Sequence, residues 1–366
     1  MALPFMCLLY NKNTKRARNL LPVFYISVFF AVLVITGIIR IYALRRGVMD
    51  IPNERSSHVV PTPRGGGMAF VLCFLAGVMY FYWQQLVSLD ALLAYFVAGT
   101  MVAIVGVVDD HYSISPWSRL IAHIFSAVVV LCCVHGMPAI TIAGYYLPAN
   151  NLVTNILAFF LLVWLINLYN FMDGIDGLAA LEAVFSGGAF AFILWFVGAS
   201  SNIYLPLLLA STVAGFLWWN FPPARIFMGD SGSGFLGIAT GIMVVYSAAI
   251  APAFFWSWLI LLGVFIVDAS FTLSRRALAG MPIHQPHCSH AYQHLAAHLH
   301  CHKKVSISVL LLNTLWLFPL ALLVACGYID GLLAISIAYL PLLLIAIYCQ
   351  AGVNISQPVK SQKIIT

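Results

Sequence analysis

The sequence predicts an all-α polytopic membrane protein with about 10–11 transmembrane helices. Three observations carry that prediction. Hydrophobic residues make up 63% of the 366 residues and charged residues only 8%, whereas an ordinary soluble domain is roughly 25% charged. Apolar runs near spanning length recur from one end of the chain to the other, and the remaining charges gather between them. The aromatic content of 14% suits Trp and Tyr belts at the two membrane surfaces.

Crossing about 30 Å of hydrocarbon takes about 20 residues of helix. Runs of that order cover residues 20–39, 68–86, 91–108, 120–134, 152–168, 179–197, 203–219, 234–250, 254–273, 307–325 and 332–349. Several are short, which sets the count at ten to eleven. The organisation expected is an N-terminal tail at 1–19, a single integral-membrane domain at 20–349 and a C-terminal tail at 350–366, with no room for a large soluble domain. Residues 1–19 place a short apolar patch before a basic cluster, the reverse of signal-peptide order. The eight cysteines sit mostly in apolar runs without C-x-x-C spacing and read as packing residues.

Orientation follows from Lys and Arg. With the N-terminus outside, Arg40, Arg45, Arg46, Arg55, Arg64, Arg119, Arg225, Arg275, Arg276, Lys303, Lys304, Lys360 and Lys363 all fall on the cytoplasmic side. Lys12, Lys15, Arg16 and Arg18 are the exceptions. The polar loops around Asp109-Asp110, Asn167–Asp176, Arg225–Asp230 and His284–His302 then open on that same face. A transporter working by intramembrane acids is the reading from a different class, but it would place polar groups near the bilayer midplane.

Asn167-Leu168-Tyr169-Asn170-Phe171-Met172-Asp173-Gly174-Ile175-Asp176-Gly177-Leu178 closes the fifth run. Acids at a membrane edge are costly and default to function. Asn167, Asn170 and Asp173 recur every three residues and fan over one side of a helix. Hard oxygen ligands beside glycines suit a Mg²⁺-diphosphate. Asp109-Asp110 closes the third run, and adjacent ionised carboxylates need a cation or a proton between them. The competing reading is a polar turn capping the next helix at Ser113 and Ser115. Arg64-Gly65-Gly66-Gly67 could cradle a phosphate on backbone amides, or serve as a plain linker. Asp230, among Gly229, Gly232 and Gly234, is a further candidate ligand or a helix cap. His290, His294 and His298 repeat on one helical face. They lack clean paired zinc spacing with Cys288 or Cys301, so a polar or phosphate-binding face is expected. Asp268 would anchor that segment or form a structural ion pair.

Read together and in order, these residues resemble the polyprenyl-phosphate N-acetylhexosamine-1-phosphate transferases, which include MraY and the enzymes that start O-antigen and enterobacterial common antigen synthesis. Residues 61–67 look like the family's Pro-x-Pro-Arg-Gly-Gly-Gly loop, Asp109-Asp110 like its aspartate pair, Asn167–Leu178 like its Asn-x-x-Asn-x-x-Asp-Gly-x-Asp-Gly-Leu signature, and Phe227–Ser233 like its Phe-Met-Gly-Asp-x-Gly-Ser loop. The histidine segment departs from the commonest form: Tyr292 and Gln293 follow His290 where further histidines often stand, and Cys288 stands where the similar O-antigen branch has arginine.

The resemblance implies transfer of N-acetylhexosamine-1-phosphate from a UDP-sugar to undecaprenyl phosphate, releasing UMP, in the bacterial inner membrane with a cytoplasmic active site. The sugar would be N-acetylglucosamine or a 6-deoxy sugar such as N-acetylfucosamine or N-acetylquinovosamine. Mg²⁺, or Mn²⁺, is the implied cofactor, held by Asp230, Asp173 and Asp176. Asp109, Asp110 and Asp230 are the implied catalytic residues; Arg64, Gly65, Gly66, Asn167, Asn170, Asp173, Asp176 and His290 are those expected to bind substrate. A homodimer is compatible with it and nucleic acid is not expected. The nearest rival is an MraY-type peptidoglycan-precursor transferase. A CDP-alcohol phosphotransferase needs an Ala-Arg pair soon after its first Asp-Gly, and Gly177-Leu178-Ala179-Ala180 follows here.

Overall fold

The computed structural model describes residues 13–52, 60–112, 114–142, 144–282 and 287–353, with side chains from Leu21 onward. Residues 1–12 and 354–366 of the expected tails, the basic side chains before Leu21, and Arg55 and His284 lie outside the described residues. Every apolar run becomes helix. They are α1 Asn13–Arg46, α2 Gly67–Trp83, α3 Leu89–Tyr112, α4 Pro116–Val134, α5 Leu152–Met172, α6 Leu178–Phe196, α7 Tyr204–Asn220, α8 Asp230–Ile250, the pair α9 Pro252–Leu261 and α10 Gly263–Leu278, then α12 His302–Ala325 and α13 Gly331–Tyr348; a short α11, Ala291–Leu299, precedes α12.

By length and composition, eight of the described helices can cross a membrane, or nine with α9–α10 as one span. The expected ten to eleven is reached only by adding α2 and α7, which have 17 residues each and are about 25 Å long. α7 packs against α1, α2 and α6, so both short helices sit among longer ones. The run at 254–273 is not one straight helix. It bends by 68° between Leu261 and Gly263, and a glycine is a usual place for a helix to break. α3 and α12 each contain a π-helical turn, at Ala94–Gly99 and Asn313–Leu317.

Lipid tails are as apolar as leucine, so membrane helices associate through close packing of small residues. α8 shows this most clearly. A Cβ on its Gly237 would lie 2.4 Å from the Leu165 carbonyl oxygen of α5, and a Cβ on Gly106 of α3 would lie 2.4 Å from the Ser231 nitrogen of α8. α8 is thereby wedged between α3 and α5, with its residues from Ser231 to Val245 all buried. That wedge brings three ends together: the C-terminal ends of α3 and α5 and the N-terminal end of α8. At the far end of the bundle, a hairpin pairs Ile140–Ile142 with Tyr145–Leu147, and Trp256 of α9 donates to its Thr141 carbonyl at 3.0 Å.

Candidate active site

The aspartate pair at the end of α3 organises its surroundings. Asp110 accepts hydrogen bonds from the backbone amides of Asp230 (3.0 Å) and Ser231 (3.5 Å) and is ion-paired with Arg64. It therefore sits on the positive end of α8. Asp109 accepts from the Ile114 amide at 2.8 Å and from Arg119 at 2.7 Å, and Ser115 caps α4 just beyond. Their side chains are 4% and 9% exposed, against 31% for Asp230. Asp230 receives Asn170 Nδ2 at 3.0 Å and faces Arg119 at 3.4 Å. Asp109 thus fastens the polar turn before α4, while Asp110 is spent on the start of α8 and on Arg64.

The glycine loop departs from expectation. The amides of Gly66 and Gly67 donate to the carbonyls of Phe227 and Met228, at 2.9 and 3.0 Å, and Phe227 returns a bond to Pro63 at 2.8 Å. Those two amides join two loops and are not available to a phosphate. Lack of space explains the glycines. A Cβ on Gly67 would lie 2.6 Å from Gly232 Cα, and one on Gly232 would lie 2.8 Å from Gly67 Cα. Gly65, at φ +90, has open space above it and remains able to let a ligand approach.

The long motif divides along its length. Asn170 reaches Asp230 and Ser233, and Asp173, at the C-terminal end of α5, lies among carboxylates. Burial, followed by Asp230, Asp110 and Asp176, pushes the Asp173 carboxyl well above the usual range. Asn167 instead bonds its own helix, at the Val163 carbonyl (2.7 Å). Asp176 accepts from the Ala224 amide at 2.9 Å and pairs with His302 at 3.3 Å, so its side chain ties the motif to the loop before α8 and to α12. Asn220, which the sequence reading passed over, bridges Gly177 and Ile226 from a buried position.

The histidine segment turns inward. His290 is 2% exposed, with Nδ1 3.3 Å from Asp268. Asp268 also accepts the amides of Ala291 (2.9 Å) and Tyr292 (3.0 Å), so it anchors the start of α11 as expected of it. His294 bonds the Cys349 carbonyl at 2.7 Å, whereas His298 is exposed. The three do not form one phosphate-binding face, because His290 precedes the helix and caps it. Tyr292 donates to the Phe171 carbonyl at 2.8 Å; burial, then Asp268 and Asp173, raises its phenol well above its ordinary value and keeps it a donor. A Cβ on Gly174 would lie 2.1 Å from the Tyr292 hydroxyl and 2.9 Å from Gln293 Nε2. The two residues that replace histidines are the ones that close this segment over the motif.

Among the described residues, Asp109, Asp110 and Asp230 pair with Arg64 and Arg119, and Asp173 lies within reach of Asp230, Asp110 and Asp176. Among the described residues, no three His, Cys, Asp or Glu side chains form a ready-made metal shell. Asp176 also holds the Ala224 amide and His302 while its charge still acts on Asp173. The excess of carboxylates around Asp173 and Asp230 nonetheless fits a hard divalent cation that completes its shell with substrate oxygens.

A family model described as glycosyl transferase family 4 matches residues 92–248. The probable undecaprenyl-phosphate N-acetylglucosaminyl 1-phosphate transferase of Bacillus subtilis (strain 168) is 30% identical, over 75% of this chain and 76% of its own length. The decaprenyl-phosphate N-acetylglucosaminephosphotransferase of Mycobacterium tuberculosis (strain ATCC 25618 / H37Rv) is likewise 30% identical, with 75% and 76% covered. The phospho-N-acetylmuramoyl-pentapeptide-transferase of Pelagibacter ubique (strain HTCC1062) is 27% identical, over 71% of this chain and 82% of its own length. With this similarity running through the ends of α3, α5 and α8 that converge on Asp230, the chain belongs to the polyprenyl-phosphate N-acetylhexosamine-1-phosphate transferase family.

Proposed function

We propose that this protein transfers N-acetylhexosamine-1-phosphate from a UDP-sugar to undecaprenyl phosphate, releasing UMP, as the first membrane step of a cell-envelope glycan such as O-antigen. The observation that carries this reading is the convergence of Asp230, Asp173 and Asn170 beside Arg64 and Arg119 at one end of an otherwise apolar bundle. The donor is a UDP-N-acetylhexosamine, either N-acetylglucosamine or a 6-deoxy sugar such as N-acetylfucosamine or N-acetylquinovosamine. The membrane is the bacterial inner membrane and the site faces the cytoplasm, in keeping with the arginines and lysines gathered at the site end of the helices.

In the reaction, an oxygen of the lipid phosphate forms a bond to the β-phosphorus of the donor. The bridging P–O bond breaks, and UMP leaves with the bridging oxygen. A phosphate monoester has its second pKa near ~6, so the nucleophile arrives largely as a dianion and needs no strong base. Asp109 and Asp110 then serve to hold Arg119, Arg64 and the start of α8 in place, because their carboxylates are already taken by donors. Asp230 and Asp173 would hold Mg²⁺ or Mn²⁺, which neutralises diphosphate charge. Asn170 orients Asp230, and Arg64 and Arg119 offer guanidinium groups to phosphate oxygens.

The test is UMP release by the purified chain with undecaprenyl phosphate and a panel of UDP-amino sugars, with the lipid product identified by mass spectrometry. Release with at least one N-acetylhexosamine donor, abolished by chelator and restored by Mg²⁺, is expected. No release with any donor, or turnover only with the muramoyl-pentapeptide donor, would overturn the assignment.

A further inference from the structure

A second acid lies outside this site. Glu182 stands one turn into α6, about 6 Å along the helix from Leu178, and its residue is 2% exposed. Its partner is Asn313, 1% exposed, which opens the π-helical turn of α12 and donates from Nδ2 to Glu182 Oε2. Two buried atoms of the same pair are left without partners, Glu182 Oε1 and Asn313 Oδ1. Both are acceptors if the carboxyl is ionised. Leaving two acceptors unmet inside a membrane bundle is costly.

Among the described residues, no neighbour supplies the missing donor. Among the described residues no Lys, Arg or His forms an ion pair with Glu182. Tyr169 of α5 faces it, but its hydroxyl makes no hydrogen bond to it. The gap beside the pair, lined by Leu178, Leu181, Val309 and Leu310, is too narrow for a water molecule. Exchanging the amide nitrogen and oxygen of Asn313 does not help, since one proton is still lacking between two oxygens. A proton on Glu182 Oε1 would supply the one missing donor, since an acid and an amide already joined by one bond can close a two-point ring through it.

We propose that Glu182 is a neutral carboxylic acid locked to Asn313 by two hydrogen bonds, and that this lock sets the register of α12 on α6 and so positions the histidine segment over the Asp-Gly motif. The same two stretches of chain meet again beside the Asp-Gly motif, where buried Ser306 donates to the Asp176 carbonyl at 3.1 Å and His302 pairs with Asp176. The lock is the buried foot of that ladder. α12 follows α11 directly, and α11 carries the Tyr292 contact to Phe171. Glu182 is therefore a positioning residue, and only its kinetic readout rests on the transferase reading.

The experiment compares infrared spectra of the full chain as wild type and Glu182→Gln, at neutral and mildly alkaline pH. A protonated-carboxyl C=O band is expected in the wild type at both pH values and should be missing from E182Q. Gln and Asn form the same two-point ring, so E182Q should keep its melting temperature and its KM for the UDP-sugar within about twofold. Glu182→Ala or Asn313→Ala should raise that KM about tenfold, the scale of one lost buried hydrogen bond, with kcat moving less. No band difference between wild type and E182Q, or an E182Q variant as damaged as E182A, would overturn the proposal. The infrared comparison needs neither turnover nor a folded E182A, so an inactive enzyme leaves it decisive.

Discussion

The aspartate end of the site and the histidine segment are built in opposite ways. At the aspartate end, backbones touch: α3 meets α8 at Gly106, Gly67 meets Gly232, and main-chain bonds join residues 63–67 to 227–228. There the Asp109 and Asp110 carboxylates are spent on amides and arginines, while the Asp230 carboxylate stays the most exposed of the three at 31%. Over the motif, the histidine segment is held by side chains instead, with Asp268 on its first amides and Tyr292 on Phe171. There the polar residues are consumed in construction. A polar residue's type does not reveal which job it has; its remaining hydrogen-bonding capacity does.

The contrast can be broken most directly at Asp230. Asp230→Asn should lower kcat by about 10²–10³-fold, the usual loss for a group that stabilises developing charge, with little change in melting temperature; UMP release checks it, and activity within tenfold of wild type would place the chemistry elsewhere. Asp268→Ala should act on construction, costing about 1–3 kcal/mol of stability through unmet buried amides. Its signature is faster proteolysis around residues 287–302, with the effect on turnover running through KM. The smallest effect concerns pH. Burial, then His290 and Arg276, lowers His287 to about 4. Its folded pKa is below its unfolded value, so its contribution to stability is complete above about 6.5 and is lost as pH falls through that value towards 4. After solvent screening the loss is on the order of 1 kcal/mol or less. The melting-temperature gap between wild type and His287→Asn should therefore shrink from pH 7 to pH 5.

The spans were legible because hydropathy alone forces helix in lipid, and all the apolar runs are helical. The break between Leu261 and Gly263 was not, since a lone glycine in an apolar run does not announce a 68° bend. The site was legible as a set of loops on one face, and Asp230, Asp173 and Asn170 do converge. What could not be read was which polar atoms the fold itself would use. The Gly66 and Gly67 amides, Asp176 and His290 all look like ligand groups in one dimension, and their partners are up to about 160 residues away along the chain. Glu182 could have been noticed, as a lone acid inside an apolar run; its partner Asn313 could not.

The contact between Gly67 and Gly232 also constrains how this chain can evolve. Ordinarily a harmful substitution opens a path to a second one that compensates for it. Here a methyl group at either position meets the other's Cα, at 2.6 or 2.8 Å, so a change at the second position adds to the damage of the first. Neither glycine can drift ahead of the other, and no pair of side chains restores the fit. Two loops far apart in sequence are thereby bound to a common fate by a shared lack of room, independently of any demand from catalysis.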